Sequence, residues 1–128
     1  MTVLLDTHLL LWSAAGSARV PKSVVEMIED KSTKLAFSAV SIWEIVIKSA
    51  SGRSDFRVNP YALRSHLLEN EYMELTVSSN HCLAVAGLPA IHKDPFDRLL
   101  VAQAQVEGFT LLTADDVVAS YAGPVRKV

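Results

Sequence analysis

Short, wholly apolar runs alternate with longer segments of helical periodicity along this chain. Val3-Leu4-Leu5 stops abruptly at Asp6, as a buried strand does, and Leu9, Leu10, Leu11 and Trp12 carry an apolar pattern on to Gly16 as a helix. Pro21 opens a second helix to about Asp30, with Val24, Val25 and Ile28 on its core side. Leu35 to Ser38 reads as the next strand. Ser41 then begins a helix in which Ile42, Trp43, Ile45, Val46 and Ile47 surround one carboxylate, Glu44. Residues 51–58 are the least regular part, and Arg53 and Arg57 make them basic. Asn59-Pro60 is a cap followed by proline, which predicts a helix to about Asn70. Met73 to Val77 reads as a third strand, and Ser78 or Ser79 caps a helix running to Gly87.

The segment His92-Lys93-Asp94-Pro95-Phe96-Asp97-Arg98 starts the next helix. Pro95 suits a first helical position, Asp94 an N-cap, and Asp97 the positive end of the helix. Good helix formers follow, and Gly108 closes them. Phe109 to Thr113 is a fourth strand ending at Ala114-Asp115-Asp116, followed by a short helix through Tyr121. Val125 to Val128, after Gly123-Pro124, fits an edge strand. Strands alternating with helices predict one α/β domain, residues 1–128, with a mainly parallel sheet.

Composition narrows the function. The chain has 128 residues, half of them hydrophobic, enough for a real core. No apolar stretch reaches membrane-spanning length, and the first residues lack the basic region of a secretory signal, so cytoplasm is the expected compartment. The single cysteine, Cys82, excludes an internal disulfide and reads as a small core residue. A net charge of −2 gives no overall attraction to a polyanion, so divalent cations would have to reverse the local field. Lys48, Arg53, Arg57 and Arg64 form the best phosphate-contacting edge.

In a parallel sheet the carboxyl ends of the strands open on one edge, where ligands bind. Asp6 and Asp115 end strands, Asp97 opens a helix, and Glu44 lies within two turns of a strand end. Each acid alone has an ordinary reading: a helix cap, or for Glu44 a pair with Lys48 on a solvent stripe. Four in one crevice would repel unless cations neutralised them, and hard oxygens without cysteines suit Mg²⁺ or Mn²⁺.

The ordered set Leu5-Asp6-Thr7-His8 with Leu11-Trp12, Ser41-Ile42-Trp43-Glu44-Ile45, His92 to Arg98 with Gln103-Ala104, and Leu112-Thr113-Ala114-Asp115 resembles PIN-domain nucleases, specifically VapC-type toxins of bacterial toxin–antitoxin pairs. The resemblance implies a three-layer α/β/α domain around a four- to five-stranded sheet. It assigns catalysis and metal binding to Asp6, Glu44, Asp97 and Asp115, with Asp94 and Asp116 as supplements. Thr7, Ser41 and Thr113 would orient carboxylates or water, and Arg98, His92 and His8 would touch substrate phosphate. The activity implied is Mg²⁺- or Mn²⁺-dependent hydrolysis of RNA. The partners implied are a small cognate antitoxin and a second copy of the chain.

Three other classes compete. A haloacid-dehalogenase-like phosphatase needs an acid where His8 stands. A receiver-like domain needs paired acids after the first strand and a lysine after a late one, which Asp6-Thr7 and Thr113-Ala114 do not supply. A PIN-like scaffold that binds RNA or a partner without cutting is the third, and the presence of all four acids argues against it.

Overall fold

A computed structural model describes residues 1–128. The elements follow in the order β1 (Thr2–Leu5), α1 (Thr7–Ala14), α2 (Lys22–Glu29), β2 (Lys34–Ser38), α3 (Ala39–Ala50), α4 (Pro60–Glu69), β3 (Met73–Leu75), α5 (Ser79–Val85), α6 (Pro95–Glu107), β4 (Thr110–Thr113) and β5 (Val125–Lys127). Residues 54–56 and 118–120 form single 3-10 turns, the second in place of the short helix expected there. All five strands pair in parallel, in the order β3-β2-β1-β4-β5, which leaves Val125 to Lys127 at an edge as expected.

The period-two alternation of each strand builds two cores. Val3, Leu5, Phe37 and Leu112 face one side and pack with α1, α4 and Ile45 of α3. Leu4, Ala36 and Leu111 face the other, against Leu100, Val101 and Ala104 of α6. The result is the expected three-layer arrangement. Between the layers, the buried Ser38 hydroxyl donates to Gln103 Oε1 (2.5 Å), and Gln103 Nε2 donates to the Thr76 carbonyl (3.3 Å). These bonds fix α6, and the acids at its start, relative to the end of β2.

Three local features depart from the sequence reading. α3 starts at Ala39 rather than Ser41, because the Ser38 hydroxyl accepts the Val40 N–H (3.0 Å) and caps the helix directly off β2. Cys82 is exposed, not in the core, since the seven-residue α5 turns it to solvent. Val25 is likewise exposed; Val24 is the residue of α2 that is fully buried.

Gly108 ends α6 in the left-handed region at φ 71°. A Cβ there would meet nothing within 4 Å, so the strain on replacing it is confined to the backbone. Gly108→Ala is expected to lower stability by about 1 kcal/mol, read as a shifted urea midpoint at constant slope.

Candidate metal centre

The carboxyl edge of the sheet gathers acids from four separate places. β1 runs straight into Asp6, the N-cap of α1, whose Oδ1 accepts the Leu9 N–H (2.9 Å). The other Asp6 oxygen accepts the Thr113 hydroxyl of β4 (2.6 Å). That same hydroxyl oxygen accepts the Asp115 N–H (3.0 Å), so one threonine ties the first acid to the loop carrying the last. Asp115 Oδ1 takes the N–H groups of Val117 (2.7 Å) and Val118 (3.3 Å), leaving Oδ2 turned toward the crevice, 3.8 Å from His92 Nε2.

α3 supplies Glu44, which is 2% exposed despite its charge. The Thr7 hydroxyl donates to its Oε1 (2.6 Å) and lies 3.0 Å from the Ser41 hydroxyl. Thr7, Ser41 and Thr113 thus all stand on carboxylates or on one another. The pair with Lys48 exists, but it joins a buried carboxylate to a part-buried ammonium rather than lying on a solvent stripe.

α6 begins as the sequence predicts. Asp94 is its N-cap, its Oδ1 accepting from Phe96 N–H (2.8 Å) and Asp97 N–H (3.4 Å), with Pro95 next. Asp97 points inward, its Oδ2 3.1 Å from His92 Nε2. His92 is held in turn by the Asp94 N–H, which donates to its Nδ1 (3.0 Å).

The crevice so formed has a volume of about 180 Å³ and no hydrophobic lining residue. Five carboxylates line it (Asp6, Glu44, Asp94, Asp97 and Asp115) against two permanent cations, Lys48 and Arg53. The unbalanced charge appears in the acids themselves. Burial, then repulsion from Asp94, Glu44, Asp6 and Asp115, pushes the Asp97 carboxyl up to about 7. Burial raises Asp6 too, against the bonds from Thr113 and Leu9 that favour its charged form. Single ligand atoms of His92, Asp97 and Asp115 lie within 4.8 Å of one another. Crowded, under-neutralised carboxylate oxygens fit a hard divalent cation such as Mg²⁺ or Mn²⁺.

The sequence matches the PIN domain family over residues 3–124. The chain belongs to that family. It is similar to Ribonuclease VapC22 of Mycobacterium tuberculosis, 29% identical over 123 residues that span 96% of this chain and 94% of that protein. In shape it resembles VapBC2 of Rickettsia felis bound to a promoter DNA fragment, with a TM-score of 0.70, 12% identity and 99% and 98% of the two chains covered. DNA-bound VapBC of Salmonella typhimurium is comparable, at 0.69 and 13% identity over 100% and 97%. These two structural likenesses establish the shared PIN fold.

Not every residue singled out in the sequence reaches the crevice of this PIN domain. Arg98 turns away from it, donating to the carbonyls of Pro89 (2.9 Å) and Val85 (3.3 Å) and to the Tyr121 hydroxyl (3.1 Å). It braces the α5–α6 connection and does not line the crevice. Asp116 is exposed and pairs with Lys127 (2.8 Å), because a neighbour in sequence points the opposite way from Asp115. His8 reaches the rim, its Nε2 3.4 Å from Asp55, which Arg53 also holds. Of the basic edge, Lys48 and Arg53 line the crevice, while Arg64 pairs with Glu74 (2.7 Å). Trp43 is not core: it is 58% exposed, with its ring edge-on to Phe96.

Proposed function

We propose that this chain is a divalent-metal-dependent endoribonuclease acting as the toxin of a toxin–antitoxin pair. The observation that carries the reading is the convergence of five carboxylates, from four separate stretches of the chain, in one wholly polar crevice. Asp6, Asp97 and Asp115 would hold the cation, with Glu44 completing the charge around it and Asp94 beside it. When bound, Mg²⁺ or Mn²⁺ there supplies activation of water and neutralisation of the phosphate charge. The chain's own residues prepare that site. Thr113 fixes the rotamer of Asp6, Thr7 that of Glu44, and the Asp94 N–H turns His92 Nε2 onto Asp97. Arg53 and His8, at the mouth, would meet the backbone of a nucleic acid.

The assignment to RNA is supported by the similar protein named a ribonuclease, and the toxin role by the VapBC complexes of the same fold. An antitoxin partner is further supported by an apolar groove of about 470 Å³ between α1 and α4, lined by Leu11, Trp12, Val58, Ala62 and Leu63. The groove opens beside the crevice, since Trp12 and Asp55 also border a pocket that holds Asp6 and Asp115. A second copy of the chain would find an apolar face at Trp43, Val46 and Ile47. No helix is long and apolar enough to cross a membrane, and the cytoplasm is the compartment this reading requires.

The test is cleavage of end-labelled single-stranded RNA by purified protein, with Mg²⁺ or Mn²⁺ and with EDTA. Internal cuts that require the cation are expected. RNA left intact in every condition, together with no heat of cation binding by calorimetry, would reduce the acids to helix caps.

A further inference from the structure

Lys48 stands one turn after Glu44 on α3, an arrangement worth only a few tenths of a kcal/mol on an open helix surface. Here it is part-buried at the crevice wall. Its side chain is 18% exposed, and its ammonium lies 2.5 Å from Glu44 Oε2 and 3.2 Å from Asp94 Oδ2. It also sits 5.0 Å from the ring centre of Phe56 and 5.5 Å from that of Phe96. Two other parts of the chain thus converge on a charge that α3 carries beside its own Glu44: the start of α6, through Asp94 and Phe96, and the 3-10 turn at 54–56, through Phe56.

The donor arrangement divides the crevice in two. On the Lys48 side every acid oxygen already has a proton donor. Glu44 takes the Thr7 hydroxyl and Lys48, and Asp94 takes two backbone N–H groups and Lys48. On the other side the donors are neutral, Leu9 N–H and the Thr113 hydroxyl on Asp6 and two N–H groups on Asp115 Oδ1, and Asp97 Oδ1 accepts no hydrogen bond from the protein. Asp97 Oδ2 and Asp115 Oδ2 share only the His92 ring. Two-metal nucleases place their ions about 3.5–4 Å apart, one on each side of the scissile phosphate. A second ion held by Glu44 and Asp94 would compete with a part-buried ammonium that already bonds one oxygen of each.

We propose that the Lys48 ammonium is the resident second cation of this site. The chain then binds one divalent ion, on the Asp6–Asp97–Asp115 side, while Lys48 neutralises Glu44 and Asp94 and presents a fixed positive charge to the phosphate. The inference rests on the metal-site reading above and specifies its stoichiometry. The ammonium is a positioning charge bonded to acids and built into the fold before substrate arrives, so it costs no reorganisation when charge develops on phosphate.

The experiment is Mn²⁺ titration of the metal-free protein, followed by calorimetry and by the electron paramagnetic resonance of free Mn²⁺. Wild type, Lys48→Gln and Lys48→Arg are compared, each checked for folding by its melting curve. One ion per chain is expected for wild type and Lys48→Arg, and two for Lys48→Gln, whose freed Glu44 and Asp94 admit the second. RNA cleavage by Lys48→Gln should fall on the order of 10²-fold at low Mn²⁺ and recover as Mn²⁺ fills the vacated position. Two ions on wild type overturn the inference, as does a single ion on a folded Lys48→Gln. Should that variant fail to fold, the wild-type count still decides. Two ions with metal-dependent cleavage would sink only the role of Lys48, whereas no bound ion on any protein would sink the metal centre itself.

Discussion

Asp97→Asn is expected to reduce RNA cleavage on the order of 10³-fold or more while raising the melting temperature of the metal-free protein. The two effects have one cause. Asp97 is 18% exposed and faces four other carboxylates, so its charge is a liability until a cation arrives. Asparagine keeps the shape and the place in the first turn of α6 but discards the charge. The helix loses a few tenths of a kcal/mol of dipole interaction, less than it gains from relieved repulsion. Melting in EDTA at pH 7.5 should show a rise of several degrees for a chain this size, and Mg²⁺ should stabilise wild type but not the variant. A variant that melts lower than wild type in EDTA would mean that Asp97 is held by His92 as a favourable ion pair.

The second large effect is an unusual dependence of stability on pH. Asp97 titrates near 7 when folded and near the ordinary 3.9 when unfolded. Between those values the folded state holds the extra proton, so stability falls as pH rises across that interval. The contribution is complete below about pH 4 and is lost as pH climbs through 7. Complete ionisation would cost on the order of 4 kcal/mol. Asp6, also raised by burial, acts in the same direction. Urea midpoints measured in EDTA at pH 5, 6.5 and 8 should therefore decline, whereas saturating Mg²⁺ should flatten or invert the trend, since the cation displaces the proton. A midpoint that rises with pH in EDTA would contradict the crowding of these acids.

Much of this arrangement was legible because its signals are local. Apolar runs that stop at Asp6 and at Ser38 marked strands whose ends share an edge. Asp94-Pro95 and Asn59-Pro60 announced helix starts through the missing N–H of proline. Glu44 was conspicuous as a lone carboxylate among Ile42, Trp43, Ile45 and Val46, and it proves almost wholly buried while Trp43 and Val46 take the solvent side. What failed depended on contacts distant in sequence or on helices too short to declare a face. Seven residues do not reveal that Cys82 looks outward, and the bonds turning Arg98 away come from Val85, Pro89 and Tyr121, spread over both sides of it. The partner that holds Lys48 at the crevice wall, Asp94, lies 46 positions away. Asp115 and Asp116 are chemically identical neighbours, separated only by which way the loop after β4 turns.

The hydrogen bond from Thr113 to Asp6 closes a span of 107 positions. Asp6 is made 107 residues ahead of Thr113, which follows, with Asp115, only after β2, β3 and both helical layers. β4 must then slot against β1 before the crevice acquires its fourth wall. On the proposed reading, the metal site stays unfinished until β4 has been made. If that site cuts RNA as proposed, the order of synthesis alone delays its activity until β4 has paired with β1.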